Sequence, residues 1–350
     1  MTAPLSFRPE FTAPLPRIAA ATRPRAGARL LVIDPTSRRF ADRDIADLPD
    51  LLAPGDLLVL NDAATFPASI AGTIRGRPHE LRLLAAEQET LAVVFGAGDW
   101  RTPTEKRPAP IVEPDDEFRF GESTAHLIAP DERSPRLWRV RFDDAGPALL
   151  HALYRWGRPI QYSYQAADLP LSAVQTPFAG RPWAAEMPSA GRALSASILA
   201  RARSRGVGIA TLTHAAGLSA TGDDALDALL PLPERFELPR ATLAAIRHTH
   251  ATPGRVVAVG TTVARALEGA ARLGFPARGV TDHLLGDGVP LRVVDGLVSG
   301  VHVPGESHYH VLESFAARDL LDAAVRHAAE AGYQNHELGD NTLVLAGALG

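Results

Sequence analysis

The sequence predicts an α/β main domain interrupted near its N-terminus by a small inserted all-β domain, a barrel or a sandwich. Two changes of texture predict it. After residue 145, helix-period and strand-period segments alternate, the pattern of an α/β layer architecture. Between residues 68 and 143 the chain instead runs in short alternating apolar segments separated by Gly and Pro turns, which suits an all-β unit. A length of 350 residues exceeds what one small core organises. The expected division is therefore a main domain of 1–67 and 144–350 with an insertion of 68–143.

Taken in order, Arg29 to Asp34 is an apolar run before a turn and reads as a strand, and Ile45 to Leu52 reads as a short helix. The Pro54-Gly55-Asp56 turn feeds Leu57 to Leu60, whose four apolar residues suit a buried strand that delivers Asn61 and Asp62 at its end. Inside the insertion, Ala68–Ile74, Glu80–Leu84, Thr90–Phe95, Glu117–Phe120 and Leu137–Phe142 are the expected strands. The connection from Gly96 to Asp115, rich in Pro and Arg, reads as a flexible basic loop. Helices are expected at Ala148–Trp156, Ser195–Arg205 with Gly206 in the stop position, Leu238–His250 opened by Pro239, and Ser307–Gly332. Strands are expected at Gly208–His214, Arg255–Gly260 and Asn341–Leu345, the second running straight into a helix that starts at Thr261.

Composition excludes several classes. The 46% hydrophobic and 22% charged residues are ordinary globular values, which excludes a disordered or collagen-like chain. With 36 basic against 40 acidic residues the net charge is −4, so a globally basic nucleic-acid coat is excluded while a local basic face is not. Zero cysteines remove disulfides, thiolate metal sites and cysteine nucleophiles together. The first residues lack a basic segment followed by an apolar stretch, and no apolar run reaches the roughly 20 residues that span a bilayer. The expectation is a soluble cytoplasmic protein without membrane contact.

Two segments carry the strongest chemistry. Val256 to Thr262 is a strand, a glycine turn and two hydroxyls at a helix start, where free backbone amides and the helix dipole favour an anion such as a carboxylate. His302 to His310 holds three histidines and Glu306 in nine residues, with Glu306 and His310 spaced to share a helix face. Asp62, His214 and Asp340 sit at strand ends or turns, where a general acid or base can be positioned. No P-loop, GxSxG elbow or GxGxxG motif is present, which disfavours nucleotide hydrolases, α/β-hydrolases and Rossmann dehydrogenases.

Set in order, these segments resemble the S-adenosylmethionine:tRNA ribosyltransferase-isomerase family of queuosine biosynthesis, from about residue 28 to residue 346. The closest matches are Leu48 through Asp62 with Pro67-Ala68, and Arg255 through Glu268. Gln175-Thr176, Pro188 to Gly191, Thr213-His214, Pro233 to Glu237, His302 to Pro304, Phe315, Tyr333 and Gly339-Asp340 add anchors. The resemblance implies an α/β main domain with a small antiparallel β-barrel inserted near the N-terminus. It also implies transfer and isomerisation of the ribosyl moiety of S-adenosylmethionine onto the aminomethyl group of a deazaguanine base in tRNA, releasing adenine and methionine. S-adenosylmethionine is then a substrate and no cofactor is needed. The sulfonium acidifies the adjacent C5′ hydrogens, a base removes one and an acid helps adenine depart. The residues assigned on this basis are Asp62, His214, His302 and Asp340 as catalytic, and Asn61, Gly260, Thr261, Thr262, Arg265, Glu306 and Ser307 as substrate-binding. No resident metal is expected, the alternative being one on His302, Glu306, His308 and His310. The expected partners are S-adenosylmethionine and, transiently, tRNA held by a basic strip of Arg75, Arg77, Arg101, Lys106 and Arg107, with the protein a monomer.

Departures from the family pattern define an alternative. Ala63-Ala64 replaces the family's Thr-Arg, Ala193 stands where the family has histidine, and Ala215 to Ser219 alters a glycine-rich stretch. In the family's His-Leu-Pro-x-Ser-Thr segment, Glu306 and Ser307 replace Ser and Thr, His308, Tyr309 and His310 replace apolar residues, and Asn335-His336 replaces an aromatic pair. These changes point to a diverged paralogue with the same fold acting on a smaller substrate, metal-assisted or not, or to a non-catalytic binding protein.

Overall fold

The computed structural model describes residues 11–21, 27–108 and 110–350. The first residues, on which the absence of a targeting segment was read, lie outside them. Fifteen strands and six helices carry the architecture. The strands are β1 (Arg29–Asp34), β2 (Arg39–Asp44), β3 (Leu57–Asn61), β4 (Ser69–Ile74), β5 (Arg77–Leu83), β6 (Glu89–Phe95), β7 (Glu117–Phe120), β8 (Ser123–Asp131), β9 (Ser134–Phe142), β10 (Gly208–His214), β11 (Glu234–Glu237), β12 (Val256–Val259), β13 (Arg278–Thr281), β14 (Gly296–Gly300) and β15 (Asn341–Leu345). The helices are α1 (Gly146–Trp156), α2 (Ala196–Ser204), α3 (Arg240–His250), α4 (Thr261–Arg272), α5 (Ser307–Leu312) and α6 (Arg318–Glu330).

Nine strands form the main sheet in the order β13-β11-β10-β3-β12-β14-β15-β1-β2. At its centre β10, β3, β12 and β14 run parallel. Because side chains alternate along a strand, each of these apolar runs feeds two cores. Leu57, Val59, Val256 and Ala258 pack on one face with α3, α4 and α6, while Leu58, Leu60, Val257 and Val259 pack on the other with α2. Burial on both faces explains why these strands read as unbroken apolar runs. The parallel direction carries Asn61, His214, Gly260 and Gly300 to one edge of the sheet.

Strands β4 to β9 close into a six-stranded antiparallel barrel, β4 pairing with both β5 and β7. Its core includes Ile70, Leu81, Val93, Phe118, Leu127 and Val140. One wall holds a buried charge cluster. Glu80 accepts from Arg82 Nε at 2.8 Å and from Arg107 Nη1 at 2.5 Å, and both guanidiniums lie over the Phe95 ring. Against its burial, the two arginines hold the Glu80 carboxyl below its ordinary range. Glu80→Leu leaves two buried cations uncompensated and is expected to cost about 3–5 kcal/mol in urea denaturation.

The structure corrects several sequence expectations. The 45–52 helix is a 3₁₀ segment, Ile45–Asp50, with Pro49 inside it removing a donor. The single helix expected over 307–332 is two, α5 and α6, because the chain turns between them and tucks Leu312 and Ala316 into the core. The 96–115 connection is not a free basic loop, since Arg107 is buried against Glu80 and the Gly96 and Gly98 carbonyls. The phosphate strip shrinks accordingly: Arg75 pairs with Glu113 and Asp116, and Arg101 with Asp99 and Asp168, leaving Arg77 and Lys106 exposed. Among the described residues no helix is long and apolar enough to cross a membrane.

Candidate active site

The carboxyl ends of parallel strands are where α/β sheets bind ligands, because helix N-termini and loops converge there. Asn61, the last residue of β3, ties this edge together. Its Nδ2 donates to the His214 carbonyl at 3.0 Å and to Thr262 Oγ1 at 3.4 Å, while its Oδ1 accepts from the His214 and Ala63 amides, each at 3.0 Å. The ends of β3 and β10 and the start of α4 are thus held in one arrangement. Next to it, Asp62 accepts a 2.5 Å hydrogen bond from Thr213 Oγ1.

Gly260 makes the turn from β12 into α4 at φ 100°, a left-handed conformation that glycine alone adopts without strain. Its amide donates to Val298 O at 2.7 Å. Thr261 and Thr262 are the first two helical residues, so their amides have no acceptor within the helix and, with the dipole, favour an anion.

His214 is fully buried, and neither ring nitrogen has a hydrogen-bond partner. Its Nε2 stands 3.4 Å from Glu234 Oε2. Burial, reinforced by Arg265, lowers the imidazole to about 3, so it is neutral at physiological pH. Glu234 accepts from the Gly217 amide at 2.6 Å and pairs with Arg265. Burial pushes this carboxyl up to about 7, with Arg265 pulling against it. Glu234 also lines a cavity of about 270 Å³ between the barrel and the main sheet, walled by Leu84, Leu91, Leu218 and Leu232 among others.

A second carboxyl is held by Ser219, the residue after the cavity-lining Leu218. Glu186 accepts from Tyr162 Oη, from Ser219 Oγ at 2.7 Å and from the Ser219 amide at 3.1 Å. Burial raises it to about 7, the Tyr162 hydroxyl opposing and Glu337 adding to the rise. Glu337 itself accepts from Tyr164 Oη at 2.7 Å. Across from these, His302 contacts Ser299 Oγ at 2.9 Å and Glu306 Oε2 at 3.3 Å, and its ring stacks on His308 at 4.9 Å. Burial, followed by the charge of His302, depresses His308 to about 3.

Some sequence-assigned residues converge here and some do not. Asn61, Asp62, His214, Gly260, Thr261 and Thr262 share the sheet edge, and His302 with Glu306 forms the adjoining wall. Asp340 is buried, and its carboxylate oxygens accept from the Arg29 and Gln334 amides at 3.0 and 2.9 Å. Arg265 is not free to meet a substrate carboxylate, because it donates to Glu234 and to the Leu232 and His283 carbonyls. Ser307 is exposed at the start of α5. The alternative metal set does not converge, since His310 turns to Glu313 at 2.8 Å while His302 and His308 stack. Among the described residues no group of three His, Asp or Glu side chains could hold a metal ion. The replaced family positions Ala63, Ala64 and Ala193 are buried small residues. Sequence reasoning missed Glu186, Glu337 and the two tyrosines entirely. Glu234 lay within the Pro233 to Glu237 anchor, but nothing in that local pattern sets it apart from Glu237.

Residues 9–344 match the family described as queuosine biosynthesis protein. Relatives named S-adenosylmethionine:tRNA ribosyltransferase-isomerase include one from Methylorubrum extorquens, 35% identical and aligned over 95% of each chain. Another, from Anaeromyxobacter dehalogenans, is 36% identical over 92% of this chain and 93% of its own. The crystal structure of S-adenosylmethionine tRNA ribosyltransferase from Thermotoga maritima shares the fold, with a TM-score of 0.53 and 24% identity over 96% of this chain and 99% of that one. On this whole-length relationship, the chain belongs to the queuosine biosynthesis protein family.

Proposed function

We propose that this protein is an S-adenosylmethionine:tRNA ribosyltransferase-isomerase, which moves the ribosyl moiety of S-adenosylmethionine onto the aminomethyl-deazaguanine of tRNA and isomerises it. The observation that carries the reading is the relationship to enzymes of that name along more than nine-tenths of the chain. The site supports roles for particular residues. The amides of Thr261 and Thr262 take the methionine carboxylate, as the anion-binding start of α4 favours. The apolar cavity takes a heteroaromatic ring, and Glu234 at its wall exchanges the protons that the reaction moves. A carboxyl poised near 7 is matched to that task because it accepts and returns a proton at little cost. The Gly217 amide and Arg265 hold Glu234 in place, and neutral His214, whose backbone is tied to Asn61, packs against it at 3.4 Å.

Incubating the purified protein with S-adenosylmethionine and tRNA carrying the aminomethyl-deazaguanine tests this directly. The expected result is stoichiometric adenine release with a matching gain in tRNA mass. A folded sample that gives neither would overturn the reading, and adenine release without tRNA would favour a smaller acceptor.

A further inference from the structure

The cavity-lining segment at Gly217 and Leu218 runs between two carboxyls, Glu234 accepting from the Gly217 amide and Glu186 from the Ser219 amide, and Glu337 follows through Tyr164, whose ring stacks at 5.9 Å on that of Tyr162, the donor to Glu186. Glu337 raises the Glu186 carboxyl, and Glu186 in turn raises that of Glu234. Only Glu234 pairs with a cation, Arg265, while Glu186 and Glu337 are met among the described residues by hydroxyl and amide donors alone. Arg82 also feels the charge of Glu186 but is committed to Glu80. A second, separate feature points into the same cluster. The buried His214 ring makes no hydrogen bond through either nitrogen, and its Nε2 stands 3.4 Å from Glu234 Oε2.

We propose that this acidic wall, with Glu186 as its principal charge, reads the positive charge of the sulfonium, so that the site selects S-adenosylmethionine over its neutral thioether, S-adenosylhomocysteine. The inference rests on the donor substrate proposed above. A sulfonium has no N–H or O–H to donate, so it is recognised by electric field alone. Carboxylates whose hydrogen bonds are already met by Tyr162, Ser219 and Tyr164 still supply that field. In a partly buried site the attraction is stronger than in water, and the bound cation relieves the repulsion among the three carboxyls. Both ligands carry the same methionine ammonium and carboxylate, so comparing them isolates the sulfonium. The charged and titratable groups facing Glu186 are Tyr162, Tyr164, Glu234, Glu337 and Arg82.

The test is isothermal titration calorimetry of the full-length protein with each ligand between about pH 5.5 and 8.5, spanning the Glu186 titration. Expected is a preference for S-adenosylmethionine of about tenfold or more above pH 7. The preference should shrink as pH falls, because protonation removes the charge on Glu186, and binding near neutral pH should release protons. Glu186→Gln should flatten the pH dependence. Tyr162→Phe should move it to higher pH, since losing the hydroxyl donor raises Glu186 further. Equal affinities at every pH, or an unchanged profile in folded Glu186→Gln, would overturn the inference. If Glu186→Gln fails to fold, Tyr162→Phe and Glu337→Gln decide, an unmoved profile in both counting against it. Binding of neither ligand overturns both this inference and the proposed function. Adenine release onto tRNA without any charge preference overturns this inference alone.

Discussion

Glu234→Gln is expected to lower kcat for adenine release by about 10²–10⁴-fold, the usual contribution of a positioned acid or base. The amide keeps the shape and the 2.6 Å contact from the Gly217 amide but cannot take a proton. At saturating S-adenosylmethionine, kcat of the parent enzyme should fall as pH drops below about 7, because burial has pushed the Glu234 carboxyl up to about 7 and protonation removes the base. The residual activity of the variant should lose that limb. A variant within a few-fold of the parent, with the same pH profile, would remove Glu234 from the chemistry.

Arg265→Met is expected to destabilise the protein by about 3–5 kcal/mol, because removing one partner of a buried pair leaves Glu234 uncompensated. The Leu232 and His283 carbonyls also lose their 3.0 and 2.9 Å donors. The loss should depend on pH. Without its cation, the Glu234 carboxyl rises further, so the native state holds a proton that the unfolded state, with the ordinary value of 4.5, has released. Stability of the variant therefore falls as pH rises through neutrality, and the deficit should be larger at pH 8 than at pH 6. Adding Glu234→Gln should recover part of it, a coupling that a double-mutant cycle in urea measures. Equal deficits at both pH values would show that Glu234 is not the group left exposed to the missing charge.

Asn61, the Gly260 turn and the two threonines were legible because each sits at the end of an apolar run, where local pattern alone says that a strand stops and a polar group emerges. The same logic does not show that Asp340, which follows a glycine turn, accepts from the amides of Arg29 and Gln334. The histidines of 302–310 look like metal ligands in sequence. In space their rings stack or turn to carboxylates, because α5 is only six residues long and the chain turns at Pro304-Gly305 before it. Strands β2, β8, β11, β13 and β14 were illegible: their short or polar stretches are stabilised by pairing with neighbouring strands, not by a pattern of their own.

The sequence by itself determined the layered architecture, the inserted all-β unit and the edge of the sheet at which Asn61, His214 and the Gly260 turn gather. Hydrophobic periodicity and turn residues are local properties, and they suffice for that. Only the tertiary structure decided which charges are buried together. The ionisation of Glu186, Glu234 and His214 depends on burial and on neighbours such as Tyr162, Glu337 and Arg265, from 24 to 151 residues away in the chain for Glu186 and 31 for Glu234. Desolvation and charge–charge coupling act through space, so no reading of spacing along the chain contains them.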